Sequence, residues 1–304
     1  VKNGEKMAFF EQLAGNLIYG AVLGSVYGLS TMGLSLIFGV LRIVNVGHGP
    51  FIMIGAFTAF WMFALAGIPP LVSISVALVI GLALGFVIFY AVIRRLLNAP
   101  ELATLLATFA IGIFLEELAK FFWGPDHRGY SWNVGDINLG VTIMPYSKIY
   151  ALISSIIIAY LLYMWFQKTK LGAAVRAVVE DSEGAMTCGI DVGRIYALSF
   201  AIGIGLTVAS GVLVTLFVPV GINPYMGHEY TLKAFVIAVL GGLASPWGAF
   251  YAGFIFGLIE NGSYTLLGLI PGVEPFSLTR FVAFSILLII LLIKPTGLLG
   301  GGSK

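Results

Sequence analysis

Apolar residues run through this chain in long blocks rather than in alternation. Blocks at about 13–41, 50–66, 71–92, 102–123, 147–167, 194–218, 231–268 and 277–293 carry few charges. A hydrocarbon layer about 30 Å thick takes roughly 20 residues of helix, so each block is long enough to cross one. The first and seventh are too long for one straight span. They predict a long tilted helix, a kink, or a full span joined to a half-helix. The expected fold is all-α, a polytopic transmembrane helical bundle of about eight to ten crossings, read as a single transmembrane domain over residues 1–304. Its appendages are an N-terminal segment (1–12), a polar loop (167–194) and a polar tail (294–304).

Alternating crossings place the polar stretches RRLLNAPE (94–101), the 167–194 loop and the tail on one side of the membrane. That side carries Arg94, Arg95, Lys168, Lys170, Arg176, Arg194, Lys294 and Lys304. The other carries Lys120, Arg128, Lys148, Lys233 and Arg280, plus Lys2 and Lys6 of the N-terminal segment, so the bias is modest. The bias places 167–194 in the cytoplasm. The aromatic-rich stretch 123–148, with Trp123, Tyr130, Trp132 and Tyr146, then faces outward.

Two apolar blocks are interrupted in a similar way. VLRIVNVGHGPF (40–51) aligns without gaps on VLGGLASPWGAF (239–250), and both break with glycines and a proline. Paired broken helices in corresponding halves of a transporter tend to line the substrate path. Backbone that leaves a helix inside a bilayer survives only where it is buried in protein or faces a wet cavity. Asn45 and His48 offer donors and acceptors without fixed charge, and Gly47 and Gly49 allow close backbone approach. One reading makes this break a passage lining. The other makes it a surface loop with Asn45 as a helix cap. In the second break, Gly241 and Gly242 precede Ser245, a candidate cap, and Pro246. Glu260 lies further along the same apolar run, and intramembrane acids are costly and usually functional. A path lined by these groups is poor in fixed charge.

The 167–194 loop has its own pattern. AAVRAVVED reads as a helix with Arg176 and Glu180 at i and i+4. Asp181, Ser182, Glu183, Gly184, Ala185 and Met186 then read as a short second helix, with Ser182 as N-cap and Gly189 just past its end. Helix–helix joins usually take about 2–8 residues. A loop this long therefore points to docking of a partner rather than to a mere connector. Gly20, Gly24 and Gly28, and likewise Gly253 and Gly257, recur at four-residue spacing, the small-residue signature of close helix packing in membranes.

Composition supports a chain dissolved in lipid. Of 304 residues, 59% are hydrophobic and 10% charged, and 39 are glycine, against about 25% charged in soluble domains. The net charge of +2 gives no reason to expect a nucleic-acid partner, and the single cysteine, Cys188, excludes an intramolecular disulfide. Residues 1–6 lack the apolar core of a signal peptide, and Met7 is a candidate natural start. No catalytic or metal site is expected. His48, His127 and His228 lie in separate segments without HExxH, and GLLGGGSK has its lysine after the serine, unlike a phosphate loop.

Four stretches in order resemble the permease family of branched-chain amino-acid ABC importers, the LivH type. They are GLSLIFGVLRIVNVGHGPFIMIGAF (33–57), KTKLGAAVRAVVEDSEGAMTCGID (168–191), GINPYMG…LKAFVIAVLGGLASPWGAFYAGFIFGLIE (221–260) and KPTGLLG (294–300). The family usually has an acid after the His-Gly pair, where this chain has Pro50. The resemblance implies two pseudo-symmetric halves with broken helices near the midplane of a bacterial or archaeal cytoplasmic membrane. It implies pairing with a second related permease subunit or with a copy of itself. Two cytoplasmic ATPases that bind ATP and Mg would sit below, and a substrate-binding protein above, with no cofactor in this chain. The coupling helix would fall on Asp181–Gly189, and Asn223, Pro224 and Tyr225 near the outer mouth. Asn45, His48 and Gly241–Gly242 would lie by the path. The implied activity is alternating-access import of leucine, isoleucine or valine. Importers of urea, short amides or other small polar solutes share the pattern, and a stand-alone channel or secondary transporter is the competing class.

Overall fold

The computed structural model describes residues 2–218, 220–270, 274–294 and 297. Most of the KPTGLLG motif and of the 294–304 tail lies outside them, as do the side chain of Arg280 and all of Lys304. Among the described residues the fold is all-α apart from one small hairpin. Its helices are α1 (Lys2–Leu41), α2 (His48–Ala66), α3 (Pro70–Ile88), α4 (Arg94–Leu96), α5 (Glu101–Trp123), α6 (Tyr146–Lys168), α7 (Lys170–Glu180), α8 (Ser182–Thr187), α9 (Val192–Val214), α10 (Gly227–Gly241), α11 (Pro246–Leu267) and α12 (Pro275–Ile293). A π-helical turn, Phe89–Ile93, joins α3 to α4, making one continuous span, Pro70–Leu96. Strands β1 (Asp136–Asn138) and β2 (Ile143–Pro145) pair antiparallel between α5 and α6.

Among the described residues, six helices are long and apolar enough to cross a membrane. Helices α10 and α11, bent by 114° at their break, make a seventh span if counted as one. This is fewer than the eight to ten crossings expected. Of the options for the first apolar block, the long single helix is the one observed. That helix has 40 residues and is about 60 Å long at 1.5 Å per residue, so it outruns the apolar layer. The seventh block does break, at 242–245. Helix α12 stands outside the count.

Helix α1 is the hub, packing on α11, α9, α10 and α6. Its contact with α11 is made by glycines. A Cβ placed on Gly20, Gly24 or Gly28 would lie 2.4, 2.5 and 2.4 Å from the carbonyl oxygens of Gly257, Gly253 and Phe250. The pairing order makes the two helices antiparallel. Without lipid-excluding force between helices, backbone-to-backbone approach of this kind supplies the attraction as dispersion. Gly33 meets the carbonyl of Gly203 on α9 in the same way.

A side chain at the centre of the seam should not be tolerated. Gly24→Leu is expected to lower stability in detergent by about 2 kcal/mol or more through overpacking. Gly193→Ala, whose Cβ would meet only Asp191 Oδ1 at 3.4 Å, should leave the thermal midpoint unchanged.

Candidate functional site

The first break begins where α1 ends. Arg42 sits in the left-handed region with φ of 58°, a conformation costing about 1 kcal/mol or more for a non-glycine residue. Its N–H still bonds to Phe38 O at 2.9 Å, which closes the helix. The segment 42–47 then runs to the start of α2. That start is buried within the bundle. His48 is fully buried and bonds through Nε2 to Ser30 Oγ of α1 at 2.9 Å and through Nδ1 to Thr207 Oγ1 of α9 at 3.4 Å. Both partners lie inside apolar helices, so α2 starts within the hydrocarbon layer.

Neighbouring helices satisfy the unwound backbone. Thr108 of α5 donates to Val44 O and accepts from Val46 N, both at 3.1 Å. Thr231 of α10 accepts from Gly49 N at 2.8 Å. Gly47 lies against the carbonyl of Thr108, and Gly49 against the carbonyl of Gly227. Asn45 is not a helix cap. The N-cap position of α2 is Gly47, which makes no side-chain cap bond, while Asn45 is buried with its Nδ2 unpartnered. The break is therefore an interior feature rather than a surface loop. Val46 and Pro50 line a cavity of about 280 Å³ with Glu116 and His228, whose side chains pair at 2.8 Å.

The second break is tighter. Gly242 has φ of 94° and Gly241 packs on the backbone of Gly248. Ser245 caps α11, accepting from Gly248 N at 3.1 Å, and Pro246 occupies the first turn. Trp247 meets Tyr163 of α6 edge to face.

The polar loop folds as two helices. Thr169 caps α7 by accepting from Gly172 N. Asp181, not Ser182, caps α8, its Oδ1 accepting from Glu183 N at 3.0 Å. The carboxylate at this position also meets the positive end of the helix dipole, and Ser182 is thereby moved into the first turn. Gly189, with φ of 81°, ends the helix. The bonds Gly189 N to Met186 O and Ile190 N to Ala185 O complete a Schellman motif. Ala185 packs into the core with Val175, Val178 and Ile195, while Met186 is 55% exposed. Arg176 does not pair with Glu180 among the described ion pairs. Its guanidinium donates to Phe166 O. Arg176 and Glu180 instead share a cavity of about 260 Å³ with Gly39, Ala244 and Pro246. The loop and the second break therefore face each other.

At the end expected to face outward, Asn223 caps the short turn Pro224–Met226, accepting from Tyr225 N at 2.9 Å. Ile222 bridges to Arg128 in both directions, at 2.7 and 3.1 Å. The exposed Tyr225 ring carries Lys120 at 4.6 Å. In the outer loop, burial pushes the Tyr130 phenol up to about 12, against the opposing bond to Thr215.

Glu260 is accompanied by charge that its block conceals. Lys233 of α10 is buried rather than on the outer surface, and its Nζ reaches Glu260 Oε1 at 2.8 Å, Glu229 Oε1 at 2.9 Å and the Tyr27 hydroxyl at 2.9 Å. These groups line a cavity of about 410 Å³ with Tyr19, Leu23 and Asn261. The expectation of a lining poor in fixed charge fails here. The lysine pairs with both acids, which is how charge survives in such a place, and the trio keeps a formal charge of −1. Sequence reasoning missed Lys233, Tyr27, Thr108 and Thr231. The available signal was Glu229 and Lys233 at i, i+4, just where the seventh apolar block begins.

Spans that outnumber the surface elements, two interior helix breaks and a capped polar loop define a polytopic membrane permease. The family model described as "Branched-chain amino acid transport system / permease component" matches residues 16–291, and the chain belongs to that family. It is 31% identical over 97% of both chains to the high-affinity branched-chain amino acid transport system permease protein LivH of Escherichia coli K12. It is 28% identical to the corresponding BraD protein of Pseudomonas aeruginosa, over 93% of this chain and 94% of that one. It is also 28% identical to a probable LivH of Methanocaldococcus jannaschii, over 98% and 93%. No solved structure matches the chain significantly. The protein is a multi-pass transport permease of the cytoplasmic membrane.

The Thr108 bonds are expected to hold the first break in place. Thr108→Val keeps the shape but strands Val44 O and Val46 N on half-buried residues. It should cost about 1–3 kcal/mol, seen as a lowered thermal midpoint, while Thr108→Ser should recover most of it.

Proposed function

We propose that this chain is one permease subunit of an ATP-driven importer that takes branched-chain amino acids from an external binding protein into the cytoplasm by alternating access. Family membership over nearly the whole chain carries this reading, and the relatives' names supply the substrate class. Sequence supplies no ATPase motif here, so ATP and Mg belong to two partner subunits on the cytoplasmic face. A second permease chain, related or identical, completes the core.

The coupling segment is Arg176–Gly189. Helix α8 is a rigid knob, capped at both ends and anchored by Ala185, with Met186 exposed beyond the membrane. Leu171 and Val179 extend the exposed apolar surface on α7. A groove on an ATPase suits this shape. Because Arg176 and Glu180 face the second break across one cavity, a push on α7 and α8 reaches the Gly241–Ser245 hinge directly. Outside, Val134, Leu139, Val141 and Ile143 around the β1–β2 hairpin are exposed apolar residues that suit docking of the binding protein. The solute then moves past Asn45, Gly47, His48 and Gly49 on one side and Gly241, Gly242, Ser245 and Glu260 on the other.

ATP-driven leucine uptake by the reconstituted complex tests this reading. Met186→Glu places a charge at the centre of the docking surface without touching the core. It should lower ATPase attachment and leucine uptake by about tenfold or more, as loss of a central interface anchor does, with normal membrane insertion. Unchanged uptake would remove α8 from the coupling. Asn45→Leu and His48→Leu should likewise reduce uptake by about tenfold in complexes that still co-purify with their ATPases. If both variants transport like the wild type, the first break lies off the path.

A further inference from the structure

The path includes Glu260, but its buried partner Lys233, with Tyr27 and Glu229, has no assigned task. Its geometry is that of a receptor. Lys233 Nζ spends its three donors on Tyr27, Glu229 and Glu260. One lysine against two glutamates leaves a formal charge of −1. Glu260 Oε2 is buried with no hydrogen-bond partner, so one acceptor at the cavity wall stands unused. The cavity of about 410 Å³ is otherwise lined by Tyr19, Leu23, Asn261 and Tyr264. Its size and its few convergent polar groups among apolar surfaces are those of a small-molecule site.

We propose that this cavity binds the zwitterionic head of an amino acid inside the permease, the ammonium on Glu260 and the carboxylate on Lys233. The proposal rests on the amino-acid reading above and names the site. A zwitterion inserted between Lys233 and Glu260 replaces one ion pair by two and leaves the net charge of the site unchanged. Neither end of the solute is then buried unpaired, which is the condition for holding charge in a low-dielectric layer. Glu229 and Tyr27 keep hold of the lysine during the exchange. Leu23 and the tyrosine rings offer an apolar surface to an aliphatic side chain.

The placement also explains release. Lys233 lies on α10 and Glu260 on α11, the two arms of the helix pair bent at 242–245. A change in that bend alters the separation of the two charges. A solute bridging them is held in one state and let go in the other, so binding differs between the states as alternating access requires.

The test uses the complete importer with its binding protein in proteoliposomes, measuring tritiated leucine delivered per ATP hydrolysed. Glu260→Gln is expected to lower that ratio about tenfold or more, because a charge-assisted contact to the ammonium is lost. The double variant Lys233→Gln with Glu260→Gln keeps polar side chains and a formal charge of −1 but has no opposed pair. It should stay as deficient as the single variant. Recovery of the ratio in the double variant would show that the ion pair only braces α10 against α11, and would overturn the site. So would a wild-type ratio in Glu260→Gln. A wild-type complex that hydrolyses ATP but carries no leucine would refute the proposed function and this site with it. Normal wild-type uptake with an unaffected Glu260→Gln refutes the site alone.

Discussion

A helix that stops inside hydrocarbon leaves N–H and C=O groups with no water to receive them, and each unpaired group costs free energy. That constraint governs the arrangement of this permease. The first break exists because Thr108 of α5 and Thr231 of α10 complete the bonds that α1 and α2 leave open. The second exists because Ser245 and the Gly242 turn close the end of one helix against the start of the next. The first break is therefore fixed by two other helices and the second by its own turn, and neither is a free loop. Any movement of α5 or α10 must carry the first break with it.

Helix α1 makes that linkage rigid. Its glycine seam with α11 brings two backbones into contact. From the same helix Tyr27 reaches Lys233 and Ser30 reaches His48. One helix thus holds both the start of α2 and the charged cavity. In the proposed mechanism, the bend at 242–245 next to α7 is the element with two arrangements that transport needs.

Much of this was legible in the sequence because the bilayer writes in long patterns. The spans follow from runs of apolar residues, the seam from glycines four apart, and α8 from turn and cap residues. The finer features depend on pairings that a linear pattern does not show. The N-cap moved from Ser182 to Asp181 because both residues can cap and only backbone geometry chooses. Block 13–41 left a long helix, a kink and a span with a half-helix open, because length alone does not say whether a helix leaves the membrane. Lys233 looked like an outer-surface charge because it stands near the edge of its block. Its burial depends on Tyr27, which is distant in sequence, and on Glu260 of the next helix. Thr108 and Thr231 carried no signal, since a threonine that bonds backbone across helices looks like one that only fills space.

The central claim is that these fixed breaks move only when a partner's nucleotide hydrolysis moves α8. The most direct measurement is leucine flux into proteoliposomes holding this chain without ATPase subunits, compared with the complete complex. The account predicts leucine accumulation only with the ATPases present and ATP supplied. Flux through the chain alone, unchanged by ATP, would contradict it.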